Sequence, residues 1–315
     1  MKKIVTVGEI LVEIMAVDRG EGFLEPIRLV GPFPSGAPAI FIDQAAKLGQ
    51  PCGIISCVGD DDFGRLNVER LRRDGVDVSA IGVVDDAATG SAFVRYRADG
   101  GRDFVFNIKH SACGATRFDA AAAALVESSD HLHVMGTALF SASMIATVDA
   151  ALEETKRKGG TVSFDPNIRK EMLDLPGMRA ALDRVFKRCD LFMPSGAELF
   201  LFSGATSEEA AASEILGLGV RVVVVKHGAD GAVYYARDGA IRQPAFHVEE
   251  VDPTGAGDSF GAAFVTCWLR EMPAVVALRL AAASGALAVT RQGPMEGAST
   301  LSEIEAFIAQ AGSSA

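Results

Sequence analysis

The chain has 315 residues, 49% of them hydrophobic, and a net charge of −11. That size buries a large core, as one large α/β domain or a large domain with a small attachment. The acidic balance argues against a nucleic-acid binder, which needs a basic face to release counterions, and against docking on an anionic membrane.

The first segment, IVTVGEILVEIMAV (4–17), follows two lysines and imitates a signal peptide, but Glu9 and Glu13 interrupt the apolar run and its alternation suits a strand. No stretch reaches the roughly 20 uncharged apolar residues of a membrane span. The five cysteines (Cys52, Cys57, Cys113, Cys189, Cys267) are scattered without a CxxC. They argue against a disulfide framework or a zinc site, and the expected location is a reducing cytoplasm. A stretch containing Gly and Pro follows, DRGEGFLEPIRLVGPFPSG (18–36). Farther on, TGSAFVRYRADGGRDFVFNI (89–108) reads as a hairpin turning at Asp99-Gly100-Gly101. Neither piece has a helix to cover it. They form a small β lid, 10–33 and 88–110, on a body made of 1–9, 34–87 and 111–315. A flap with a bare apolar face closes over a ligand or pairs with a second subunit, so a homodimer through the lid is expected.

The second half repeats short apolar runs about 30 residues apart, the length of a βαβ unit: HLHVM (131–135), TVSF (161–164), DLFM (190–193) and VRVVVV (220–225). FHVEEV (246–251) is a further strand candidate. Helical segments such as ASMIATVDAALEETKRKGG (142–160) lie between them, stopped by Gly159 and Gly160. The pattern implies a parallel sheet covered on both faces. The tail AQAGSSA (309–315) is expected to fray. His131 and His133 form an HxH pair without a third ligand nearby in sequence, which favours packing or hydrogen bonding over metal.

In open parallel sheets, ligands bind beyond the carboxyl ends of the strands. There this chain places Asp165-Pro-Asn167-Ile-Arg169, then Ser195-Gly-Ala-Glu198, then Lys226-His227-Gly228-Ala-Asp230-Gly231, and finally VDPTGAGDSFGAAF (251–264). The last stretch lacks the GxxxxGK[ST] of a P-loop and the GxGxxG of a dinucleotide fold. What remains is a helix mouth with bare backbone N–H groups, suited to an anion, and Asp258 in its first turn. An ionised carboxylate repels a resting phosphate but can take a proton from an attacking hydroxyl. A plain helix-start acid is the alternative reading of Asp258.

DPTGAGDSFGAAFV resembles the C-terminal signature of the PfkB (ribokinase-like) carbohydrate kinases, and PSGAPAIFIDQAAKLG (34–49) resembles their N-terminal signature. VGDDDFG (58–64), FDPNIR (164–169), VVVKHGADGA (223–232) and GPMEGA (293–298) extend the likeness over essentially the whole chain. The resemblance implies a ribokinase-like, Rossmann-type three-layer α/β sandwich with a small β-sheet lid, and phosphorylation of a sugar hydroxyl by ATP with Mg2+. It gives Asp258 as catalytic base and the backbone of Gly255, Ala256 and Gly257 as anion hole. Arg169 falls near the transfer path. Lys226, Gly228 and Gly231 fall at the nucleotide, and Glu198 falls at Mg2+ through water. Ser195 replaces the usual asparagine of the metal-side motif, and Ala282 stands where relatives carry an asparagine near adenine. Asp252 and Thr254 match positions associated with a monovalent cation such as K+.

Substrate positions implied by the family are Glu13, Ser35, Gly36, Ala37, Ile40, Phe93, Arg95, Phe106, Ile108, Asp165 and Asn167. The branch resembled holds 2-keto-3-deoxygluconate kinases and fructokinase- or tagatose kinase-like enzymes. Ile40 replaces an asparagine, and Ile108 replaces the arginine expected to face a substrate carboxylate. Glu13 adds an acid, which suits hydroxyls better than a carboxylate. A neutral ketohexose, fructose- or tagatose-like, is the expected acceptor. The keto-deoxy acid is the alternative, since Arg95, Arg97 or Lys109 replaces the lost arginine in another lid register. A nucleoside kinase and a non-catalytic sensor rank lower.

Overall fold

The structure is a computed structural model that describes residues 1–168 and 177–313. The N-terminal apolar run divides at Gly8 into two strands of different sheets, β1 (Ile4–Val7) and β2 (Leu11–Ala16). Gly8 permits the crossing because a Cβ there would lie 2.2 Å from Cγ of Pro38. β3 (Leu29–Ser35) follows, then α1 (Ala37–Lys47), β4 (Cys52–Gly59), α2 (Asp62–Asp74) and β5 (Asp77–Val84). β6 (Gly90–Tyr96) and β7 (Arg102–Asn107) form the expected hairpin, closed by Arg97 N–H donating to the Gly101 carbonyl at 2.8 Å.

The second half supplies α3 (Ala120–Glu127), β8 (His131–Met135), α4 (Ala142–Arg157), β9 (Thr161–Asp165), α5 (Met178–Phe186), β10 (Leu191–Phe192) and α6 (Glu208–Gly217). β11 (Val222–Lys226), β12 (Ala232–Ala236), β13 (Gly239–Gln243), α7 (Ala256–Leu269), α8 (Ala274–Ala288) and α9 (Leu301–Ser313) complete the described chain. The larger sheet runs β13-β12-β11-β10-β9-β8-β1-β4-β5, parallel from β11 through β5, with β12 and β13 antiparallel at the edge. One buried cluster joins Phe41 of α1 to Phe264 and Leu278 of α7 and α8. The other joins Phe164 and Phe192 of the strands to Val148, Leu182 and Ile215 of α4, α5 and α6. Helices thus cover both faces, which is why β8, β9 and β11 are buried at nearly every position, the polar residues of β8 and β9 included.

The smaller sheet runs β3-β2-β6-β7, and its register places Glu13 opposite Ala92, which in turn faces Phe106. Two sequence expectations change, and one strand pair was missed. FHVEEV is not a strand: only Phe246 finds a core partner, Phe307 of α9, while Glu249 and Glu250 are exposed. The strand pair missed instead is β12–β13, whose Asp238-Gly239 turn has φ +135° at the glycine. The tail is helical through Ser313, since Phe307 and Ile308 of α9 pack on the core. His131 and His133 share Ser163 Oγ at 2.7 Å each, and His133 stacks on Phe41 with centroids 3.6 Å apart. Among the described residues no group of three or more His, Cys, Asp and Glu side chains could hold a metal, and no helix is long and apolar enough to cross a membrane.

Candidate active site

α7 is capped at its start by Gly255, whose φ of +85° turns the chain into the helix. A Cβ there would stand 2.5 Å from the Pro294 carbonyl oxygen and 3.2 Å from Cγ2 of Ile40, so the glycine is set by backbone angle and by space. Ala256 and Gly257 complete a helix mouth whose first-turn N–H groups have no intrahelical acceptor. Asp258 stands in that turn, 9% exposed. Asn167 Nδ2 donates to its Oδ1 at 3.4 Å, from a backbone held at φ +39°.

Asp165 ends β9, is 1% exposed, and pairs through Oδ2 with the Lys226 ammonium at the end of β11. The same ammonium lies 3.8 Å from where a Cβ of Gly257 would be, so it flanks the helix mouth. Asp165 Oδ1 is buried without a hydrogen-bond partner among the described residues. Glu198 accepts from Ile168 N at 2.6 Å and Ser195 N at 2.7 Å, fastening the loops after β9 and β10 together. Burial and then the neighbouring Asp165 raise its carboxyl above the usual range. Two acids, one with an orphaned oxygen, suit Mg2+, which takes one or two carboxylates and completes its shell with water and phosphate. Gly228 and Gly231 (φ +57° and +96°) form the tight turn between β11 and β12. There His227 N donates to the Gly231 carbonyl at 2.8 Å, and Glu208 holds the His227 ring.

At the other end, Glu13 of β2 is 4% exposed and accepts from Ser35 Oγ at 3.3 Å and Thr254 Oγ1 at 3.4 Å. Burial, and after it the charge of Asp252, pushes its carboxyl up to about 7, with Arg102 opposing the rise. Because the folded value exceeds the unfolded one, ionising Glu13 costs stability. The cost is absent below about pH 4.5, grows as pH rises to about 7, and is constant above. Glu13→Gln is therefore expected to raise the thermal midpoint at pH 8, by up to about 3 kcal/mol of stability, and to lose that advantage toward pH 4.5. Melting curves across pH check this, and an equal gap at both ends would contradict it.

Gly36 caps α1 at φ +112°, where a Cβ would meet the Glu9 carbonyl oxygen at 2.4 Å, and Ala37 and Ile40 follow on the first turn. These residues bring the N-terminal signature against the helix mouth of the C-terminal one. Two lid residues expected at the substrate do not join them. Phe93 and Arg95 alternate with Ala92 and so lie on the sheet face opposite Glu13. Phe93 meets Phe23 edge-on at 6.5 Å, and Arg95 pairs with Glu25 at 3.1 Å and with the Glu21 and Gly22 carbonyls. Phe106 and Ile108 line a 610 Å³ cavity with Asp61, Thr89 and Lys109, whose wall includes neither Glu13 nor Asp258. Arg169 lies outside the described residues. Asp252 is held by protein donors, Thr254 among them: Asp252 Oδ1 accepts from Tyr96 Oη at 2.6 Å and Thr254 N at 3.0 Å, and Oδ2 accepts from Gly293 N at 2.9 Å. Tyr96 and Arg102, which face each other on β6 and β7, were missed. Once the turn is fixed at Asp99-Gly100-Gly101, strand alternation is the signal that would have found them.

Residues 1–301 match the family described as pfkB family carbohydrate kinase. A ribokinase II candidate from E. coli, solved with ATP and Mg2+, is 51% identical, superposes with a TM-score of 0.94, and covers 98% of this chain and 100% of its own. The 2-dehydro-3-deoxygluconokinase of Thermoproteus tenax is 34% identical over 98% of this chain and 94% of its own. Fructokinase-1 of Zea mays is 29% identical over 98% of both.

Proposed function

The chain belongs to the pfkB family of carbohydrate kinases and has its ribokinase-like α/β fold, and from that premise we propose that it transfers the γ-phosphoryl group of ATP to a hydroxyl of a neutral ketohexose of the fructose or tagatose type. The observation that carries the reading is the run from Glu13 through Thr254 and Gly255 to Asp258. It sets a buried hydroxyl-binding acid at one end and an anion site with a base at the other.

Phosphoryl transfer proceeds through a loose transition state, so positioning and charge stabilisation dominate catalysis. The N–H groups at Gly255, Ala256 and Gly257 donate to the transferring group without reorganising, and Lys226 adds positive charge beside them. As the bond from the sugar oxygen to phosphorus forms and the bond from phosphorus to the β–γ bridging oxygen breaks, Asp258 accepts the hydroxyl proton and ADP leaves. Asp165 and Glu198 would hold Mg2+, which supplies neutralisation of phosphate charge. The Asp252 carboxylate is engaged by Tyr96, Thr254 and Gly293 as donors.

Glu13 favours hydroxyl recognition over that of a carboxylate. A second reading, 2-keto-3-deoxygluconate as acceptor, is favoured by Arg102, whose charge reaches Glu13, and by the relative 34% identical. A phosphorylation screen with Mg-ATP against fructose, tagatose, ribose, 2-keto-3-deoxygluconate and adenosine separates them. The expected result is a kcat/KM for a ketohexose at least about tenfold above that for the keto-deoxy acid, a difference of about 1.4 kcal/mol in transition-state binding. The reverse order transfers the assignment to the acid sugar, and no turnover with any of them supports a sensor.

A further inference from the structure

Asp252 ties together the two pieces of backbone that enclose Gly255. Its Oδ1 accepts from the N–H of Thr254, the residue before Gly255. Its Oδ2 accepts from the N–H of Gly293, the residue before Pro294, whose carbonyl presses on Gly255. Asp252 is 1% exposed, so the orientation of this carboxylate is set by its partners rather than by water. One partner comes from neither piece. Tyr96, the last residue of β6, reaches from the lid to Asp252 Oδ1 at 2.6 Å and lies 3.4 Å from Thr254 Oγ1. A second lid residue, Phe33 of β3, stands 2.7 Å from where a Cβ of Gly293 would be. Two of the four lid strands, β3 and β6, therefore meet the clamp around the anion loop.

We infer that Tyr96 is a positioning residue for phosphoryl transfer: its hydroxyl fixes Asp252, and through Asp252 the seated lid sets the geometry of the loop from Thr254 to Gly257. The inference rests on the kinase reading for its catalytic consequence, but the link itself is structural and is read independently. The phenol touches neither the anion site nor Asp258. Its effect travels through one carboxylate, which a charge-assisted hydrogen bond orients more firmly than a neutral contact would.

Tyr96→Phe keeps the ring and removes only the hydroxyl. In amide hydrogen exchange on the unliganded protein, Thr254 and Gly293 are expected to exchange about tenfold faster in the variant, with the amides of β8 and β9 unchanged. With Mg-ATP and the sugar turned over by the parent, kcat falls about tenfold while KM for ATP stays within about twofold. Combining Tyr96→Phe with Asp252→Asn gives a double variant no slower than Asp252→Asn alone, because both act through one group. If Asp252→Asn does not fold, Thr254→Val replaces it in the cycle. Unchanged exchange at Thr254 and Gly293, or losses that multiply, overturns the inference. If the parent phosphorylates no sugar, the kinase reading fails, and the exchange result alone decides the role of Tyr96.

Discussion

Asp258→Asn lowers kcat by at least about 10²-fold, the lower range for loss of a general base, and leaves ADP affinity within a few-fold of the parent. The substitution preserves shape and the contact with Asn167 Nδ2. The side chain stands in the first turn of α7, where loss of a favourable charge–dipole contact costs roughly 0.3–1 kcal/mol. The fold survives that loss, so a fall in turnover reports chemistry. Steady-state kinetics and calorimetric titration of ADP make the comparison. A variant with near-normal kcat would leave Asp258 as a helix-start acid and remove the base from the mechanism.

The second large effect comes from a methyl group. Gly255→Ala places a side chain at φ +85°, which costs an L-residue roughly 1–2 kcal/mol, and sets its Cβ 2.5 Å from the Pro294 carbonyl oxygen. Relief requires the loop to move away from Pro294, which shifts the N–H groups offered to the phosphoryl group. A displacement of about 1 Å at such a site lowers the rate by about 10²-fold. Gly159→Ala is the control: its φ is +74°, and an added Cβ meets nothing within 4 Å. The control loses stability through the backbone angle alone and keeps full turnover. Equal turnover in the two variants would show that the approach of Pro294 to Gly255 has no catalytic weight.

The parts of the fold visible in the sequence were those where one physical demand acted alone. HLHVM and TVSF lie between two helical layers and are buried almost throughout, so their length and flanks identified them. FHVEEV misled because its alternation had no neighbouring strand to answer it. A single aromatic contact to α9 explains its apolar content. In the lid the residue types were informative but the faces were not. Naming Phe93 and Phe106 together put side chains on opposite faces, since Phe93 pairs with Val105 across the hairpin and Phe106 with Ala92. The helix mouth was readable because the small residues and the acid sit next to one another in sequence. Glu13 and Thr254 are 241 residues apart, and their meeting depends on how the two sheets are set, which no local pattern carries.

The crossing at Gly8 has a consequence for exchanging parts between relatives. The chain enters the small sheet between β1 and β2, leaves it at Ser35–Gly36, re-enters before β6 and leaves after β7. The first two seams are held by glycines that a side chain would obstruct: Gly8 against Pro38 and Gly36 against the Glu9 carbonyl. The third is fixed by Thr89, whose N–H donates to Asp61 at 2.7 Å and whose hydroxyl accepts from Gly59 N at 2.9 Å. The small sheet is therefore a cassette with fixed joints. A graft that keeps those joints, and with them Tyr96 and Phe33 against the clamp at Asp252 and Gly293, can bring new sugar contacts while the loop from Gly255 to Asp258 stays as it is. Length differences between such cassettes then fall in the distal loops, at 17–28 and 97–101, where the joints place no demand.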